Sequence, residues 1–188
     1  LSSLIAVPLG LMTAAYLSEV ASNTTRRIVK PFIELLAALP SVVIGFIGMV
    51  LIAPWLQNSL GIATGLNLFN AALMLAFMAV PTICSISEDA LHAVPRALKD
   101  ASLALGATPW ETLKNVTFPY ALSGVGTAVM LGMSRALGET MVVLMVAGGA
   151  AIVPESVFVP IRPMPASIAA EMAEAPFRSP PYPPLFAT

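Results

Sequence analysis

Long apolar runs separated by short polar segments give the first picture of this chain. Four runs reach or approach the roughly 20 residues that a helix needs to cross the hydrocarbon layer. They cover Leu1–Leu17, Phe32–Leu56, Leu66–Ile86 and Tyr120–Ala151. They lack the alternation of apolar and polar residues found in the strands of a membrane barrel, so the pattern predicts four membrane helices. Pro8, Gly10, Pro40, Gly45, Gly48 and Pro81 fall inside these runs, where kinks and close helix contacts are their ordinary consequence.

Basic residues orient the spans. Arg26, Arg27 and Lys30 lie in Ser18–Pro31, and Arg96, Lys99 and Lys114 lie in Ser87–Pro119. The turn between them, Ala53–Gly65, carries no charge. Segments 18–31 and 87–119 are therefore expected in the cytoplasm, with the turn and everything after Ala151 outside. Arg162 and Arg178 run against that bias, but Glu155, Glu171 and Glu174 accompany them. The end of the chain has four prolines in five positions, 180–184. This excludes a helix interior there, and an irregular segment 176–188 is expected. Leu1 stands inside an apolar run with no Met or basic stretch before it, so the chain reads as a fragment.

Composition supports the bilayer as solvent. The chain is 57% hydrophobic and 10% charged, with mean hydropathy +0.87, whereas soluble domains carry about 25% charged residues. A net charge of −1 offers no general basic surface. The one cysteine, Cys84, lies in an apolar run and is expected to be inert packing. No metal-ligand cluster is evident.

Ser87–Pro119 is the most patterned segment. Pro95 suits a first helical turn, and Gly106 suits the left-handed residue that ends a helix. Thr108-Pro109-Trp110-Glu111 reads as a capping box with proline at the first helical position. Two short helices follow, whose apolar residues Leu98, Ala101, Leu105, Trp110, Leu113 and Val116 either pack together or dock on a partner. A DNA-reading helix-turn-helix is excluded by charge. Glu88, Asp89, Asp100 and Glu111 outnumber the three basic residues, leaving no phosphate footprint.

The segment resembles the cytoplasmic signature of ABC importer permeases: Glu-Ala-Ala, three residues, Gly, nine residues, then Ile-x-Leu-Pro. Here it reads Asp100-Ala101-Ser102, three residues, Gly106, nine residues, then Val116-Thr117-Phe118-Pro119. The resemblance implies a coupling helix that sits in a groove of the ATP-hydrolysing subunit. It assigns coupling roles to Asp100, Ala101, Ser102, Gly106 and Pro119, with Trp110 and Glu111 in support. Ser87-Glu88-Asp89-Ala90-Leu91 through Pro95, Ala104–Thr108, Glu34–Ala37 and Leu39–Val43 with Gly45 are similar to the phosphate-specific permeases. Arg135-Ala136-Leu137-Gly138-Glu139-Thr140-Met141 resembles their PstC branch more than PstA. The similarity runs to about Ala175, and His92 replaces an expected basic residue and is read as a surface position.

This resemblance implies an all-α, polytopic membrane helix bundle of the type I ABC importer permease fold, with terminal helices missing. Residues 1–175 would form the permease domain, in a bacterial inner membrane. The implied partners are a PstA-like second permease, two ATP-binding subunits and an extracytoplasmic phosphate-binding protein. No cofactor is expected, because ATP would be bound by the partner subunit. The chain lacks a phosphate-binding glycine loop of its own and is not expected to be an enzyme.

Arg135 and Glu139 are charges inside the fourth apolar run. Four apart, they would share one helix face, and charge at bilayer depth costs at least ~2.5 kcal/mol. Such a pair usually faces a polar path or a partner. The guanidinium keeps its charge and matches phosphate oxygens in pairs. Glu139 would neutralise it while the path is empty, with the Thr140 and Ser134 hydroxyls nearby. The structural alternative is an ion pair locking this helix to a neighbour. Rival readings are a permease for sulfate or molybdate, and a truncated scaffold that does not transport. An intramembrane enzyme lacks a nucleophile and base at matching depth.

Overall fold

The structure is a computed structural model and describes residues 1–174. The proline-rich end, 176–188, lies outside the described residues. Every named element among the described residues is helical.

The apolar runs do form helices, but their ends differ from the hydropathy boundaries for identifiable reasons. The first span is Ser2–Val20, 19 residues, and its last turn, Tyr16–Val20, is a π-turn. The second begins at Ser41 rather than Phe32 and runs to Leu60. Asn23–Ala37 is a separate helix, started by Ser22 Oγ accepting from Thr25 N at 3.2 Å. Pro40, extended at φ −60°, ψ 133°, separates the two helices. Most of the expected Ala53–Gly65 turn is instead the end of the second span, closed by left-handed Gly61 at φ 62°. The third span is Leu68–His92, 25 residues, so Ser87, Glu88 and Asp89 belong to a helix and not to a polar linker.

The fourth run is not one helix. Pro109–Tyr120 and Leu122–Gly138 meet at 74°, and the chain leaves helical form after Gly138 before Met141–Val146 begins. A further helix, Met164–Glu174, follows. Two of the π-turns, Gly48–Ile52 and Leu113–Thr117, hold the carbonyl four residues before Pro54 and Pro119 respectively. A proline ring crowds that carbonyl and supplies no N–H, and the wider turn accommodates both effects. No proline gives this reason for Tyr16–Val20.

The chain divides into two compact units. One comprises Ser3–Ala38 and Phe77–Arg135. Its core is Ala14, Leu17, Cys84, Leu91, Val94, Ala121 and Val125, with Val29 and Ile33 of the Asn23–Ala37 helix packed against it. Small residues let the backbones approach closely, as membrane helices require without a hydrophobic driving force. A Cβ on Gly10 would lie 2.7 Å from Ile83, and one on Gly132 only 2.3 Å from it.

The other unit comprises Leu39–Ala76 and the described residues from Ala136 onward, with Leu1–Ser2. Fully buried Asn70 donates from Nδ2 to Gly48 O at 3.1 Å and to Gly65 O at 2.9 Å. Asn67 Oδ1 accepts from Asn70 N at 2.9 Å. The 157–161 segment meets the start of the third span, where Leu68 N and Phe69 N donate to Val159 O and Val157 O. The Phe69 and Phe158 rings meet in a tilted arrangement with centroids 5.7 Å apart.

Candidate functional site

The patterned segment forms the expected helix pair. Arg96–Ala104 starts one residue after Pro95, which stands at the N-cap and not inside the first turn. Gly106 at φ +89° has open space around it and reverses the chain. Pro109 then opens the second helix behind a complete capping box. Glu111 N donates to Thr108 Oγ1 at 3.3 Å, and Thr108 N donates to Glu111 Oε2 at 2.8 Å. These bonds from the Thr108 backbone and hydroxyl hold the Glu111 carboxyl below its usual range. Ser102 Oγ and Thr112 Oγ1, 3.0 Å apart, tie the two helices together.

Little of this pair is packed away. Arg96–Ala104 has no buried residue, and Leu105 and Trp110 are 90% and 69% exposed. Asp100, Ala101, Glu111 and Pro119 are exposed as well, while Leu113 is buried and Val116 half-buried. Of the six apolar residues singled out from the sequence, the exposed ones suit docking on a partner and Leu113 suits packing.

Arg135 and Glu139 do not share a helix face, because the helix ends at Gly138 between them. Arg135 Nη2 donates to Ala37 O at 2.7 Å and Nη1 to Thr82 Oγ1 at 3.2 Å. Ala37 closes the Asn23–Ala37 helix, whose last carbonyls lack helical partners and carry negative dipole charge. The arginine thus clasps two neighbouring helices through part of its five-donor fork. Glu139 Oε1 accepts from Met141 N at 3.2 Å and Val142 N at 3.4 Å. It caps the Met141–Val146 helix from just outside, with Thr140 at the N-cap position.

The sequence reading missed a buried carboxylate. Glu88 is 1% exposed in the third span. Its Oε1 lies 2.5 Å from Arg26 Nη2 and its Oε2 lies 2.7 Å from Lys30 Nζ. The Arg26 contact is a charge pair without aligned hydrogen-bond geometry. Lys30 also pairs with Asp89, and Arg26 Nη1 donates to exposed His92 at 3.0 Å. Burial pulls the Lys30 ammonium down, but the bonds and charges of Asp89 and Glu88 outweigh it and hold Lys30 above its ordinary range. These contacts bring 18–31 and 87–119 to one end of the helices, as the basic-residue bias requires. The available signal was the i, i+4 spacing of Arg26 and Lys30, which puts both on one face.

The sequence pattern of the family described as "Binding-protein-dependent transport system inner membrane component" matches residues 6–163. The chain belongs to this family. Its members are inner-membrane components, which accords with three helices among the described residues long and apolar enough to cross a membrane, and a fourth if the bent pair is one span. Bacillus subtilis has a similar protein named "Probable ABC transporter permease protein YqgH", 44% identical over 84% of this chain and 51% of the relative. "Phosphate transport system permease protein PstC" of Pasteurella multocida is 38% identical over 93% of this chain and 61% of its own length. The protein of that name from Mesorhizobium japonicum is 37% identical over 92% and 58%. The chain therefore spans 51% to 61% of the length of these relatives.

Proposed function

We propose that the chain is a transmembrane permease subunit of an ATP-driven phosphate importer and forms half of its translocation path. The observation that carries the reading is the 96–120 helix pair, which keeps the signature spacing and leaves Leu105 and Trp110 uncovered. In this reading the helix pair seats on an ATP-binding subunit in the cytoplasm. A second, PstA-like permease completes the path, a second ATP-binding subunit serves it, and an extracytoplasmic binding protein delivers phosphate. Phosphate as cargo rests on the names of the relatives and on the Arg135–Met141 run. ATP is hydrolysed by the partners, not by this chain.

The coupling residues are Asp100, Ala101, Ser102, Gly106, Trp110, Glu111 and Pro119. Arg135 is the anion-facing residue. Two of its donors hold Ala37 O and Thr82 Oγ1, which fixes the guanidinium while leaving other N–H groups for a phosphate oxygen. Glu139 and Thr140 shape the helix break beside it in the chain and do not neutralise it by helical stacking.

Complementation tests the proposal. The full-length protein should restore growth on limiting phosphate to a strain lacking its phosphate permease, and Trp110→Asp should abolish it while the protein still inserts. Restoration by Trp110→Asp would remove the coupling role. Restoration of sulfate or molybdate uptake, without phosphate uptake, would transfer the reading to that oxyanion.

A further inference from the structure

Helix Arg96–Ala104 fully buries none of its residues, so packing alone holds it less firmly than a core helix. Its side-chain anchors are few. Ser102 joins it to Thr112 of the following helix, a contact inside the pair. Among the described residues, one side-chain bond leaves the pair for a span: Lys99 Nζ donates to Glu19 Oε1 at 2.5 Å. The partners are 80 positions apart, and their side chains are only 18% and 20% exposed. Ser18 Oγ also donates to Glu19 Oε1, at 3.2 Å. Glu19 lies in the π-turn that ends the first span. Such turns concentrate at functional sites. Glu19, Lys99, Asp100, Leu103 and Trp110 line one groove of about 520 Å³, so the pair stands beside the residues assigned to coupling.

We propose that the Lys99–Glu19 ion pair is the link through which helix 96–104 pulls on the first span, which makes both residues positioning residues for coupling. This rests on the permease reading above. A half-buried ion pair resists separation of its ends more than an exposed one, because less water screens it. A movement of the helix pair is thereby passed to Tyr16–Val20. The chain connections at Val94–Pro95 and Ala121 join the pair to the third span and to Leu122–Gly138, and Lys99 adds the attachment to the first span that the chain itself does not supply.

The test uses the full-length protein assembled with its partner permease and ATP-binding subunits in proteoliposomes, with the binding protein and inorganic phosphate supplied. The readouts are ATP hydrolysed per phosphate imported and the amount of ATP-binding subunit retained. Lys99→Gln and Glu19→Gln should each keep the ATP-binding subunit. Each should raise the ratio about fivefold, the low end of usual coupling between sites. Lys99→Arg and the swap Lys99→Glu with Glu19→Lys should return the ratio to within about twofold of wild type, since both preserve a pair of opposite charges. A merely structural pair would lower the yield of complex and leave the ratio unchanged, and that result overturns the proposal. So does a swap that inserts normally yet stays uncoupled. If wild type imports sulfate or molybdate instead, the functional reading fails on its cargo and the ratio is read for that anion. Import of no anion overturns both.

Discussion

Arg135→Ala separates the clasp on Ala37 and Thr82 from the anion-facing role proposed above for the arginine. The substitution removes charge-assisted bonds to Ala37 O at 2.7 Å and Thr82 Oγ1 at 3.2 Å. Bonds to a charged group contribute about 1.5–3 kcal/mol net each. The Thr82 bond is long, and the Ala37 carbonyl at a helix end can recruit water, so about 2–4 kcal/mol for the pair is the reasoned loss. Arg135→Lys keeps the cation and one donor direction but loses the planar fork, so about half of that loss is expected. Equilibrium unfolding of the purified protein in mixed detergent micelles measures the stability, and phosphate uptake per folded complex measures the path. The account expects Arg135→Lys to retain much of the stability while losing most of the uptake. Unfolding of Arg135→Ala within about 0.5 kcal/mol of wild type, the scale of neutral surface changes, would refute the clasp. Normal uptake per folded complex in both variants would refute the path.

Three further outcomes follow from the same contacts. Glu88→Gln leaves Arg26 and Lys30 facing a neutral group. Loss of one partner of a buried pair costs about 3–5 kcal/mol, and the partial exposure of both cations places this case near or below the low end, read by unfolding in micelles. Gly132→Ala sets a Cβ 2.3 Å from Cγ1 of fully buried Ile83, an overpacking cost of about 1–3 kcal/mol that should shrink in the Ile83→Ala background, which lacks the crowding Cγ1 and Cδ1, in the same assay. The Glu111 carboxyl titrates below its ordinary 4.5 because of Thr108, so the cap is fully effective above that value and is lost as pH falls through the lower, folded value. NMR titration of Glu111 should show the value rising part of the way toward 4.5 in Thr108→Ala, which keeps the backbone bond and loses the hydroxyl one, and an unmoved value would deny the hydroxyl's contribution.

The helices were legible in hydropathy because each long apolar run must satisfy its backbone internally. Their ends were not, because Pro40, the Ala121 bend and the break after Gly138 act through local geometry that a hydropathy average blurs. That break also dissolved the expected shared face of Arg135 and Glu139, which spacing alone had implied. Gly106 and the Thr108–Glu111 box were readable residue by residue, since caps depend on side chains a few positions apart. The Glu88 cluster and the Asn67–Asn70 node were not. Their partners are distant in sequence or are backbone carbonyls of a π-turn or loop, and the i, i+4 spacing of Arg26 and Lys30 marks a shared face without naming what it meets.

The central claim is that this chain lines a path for phosphate driven by ATP hydrolysis in its partners. ATP-dependent uptake of radiolabelled phosphate by proteoliposomes holding the assembled full-length complex tests it most directly. The account predicts uptake that requires the binding protein, persists under excess sulfate or molybdate, and collapses in Arg135→Lys. Uptake that excess sulfate or molybdate abolishes, or that Arg135→Lys leaves intact, would contradict it.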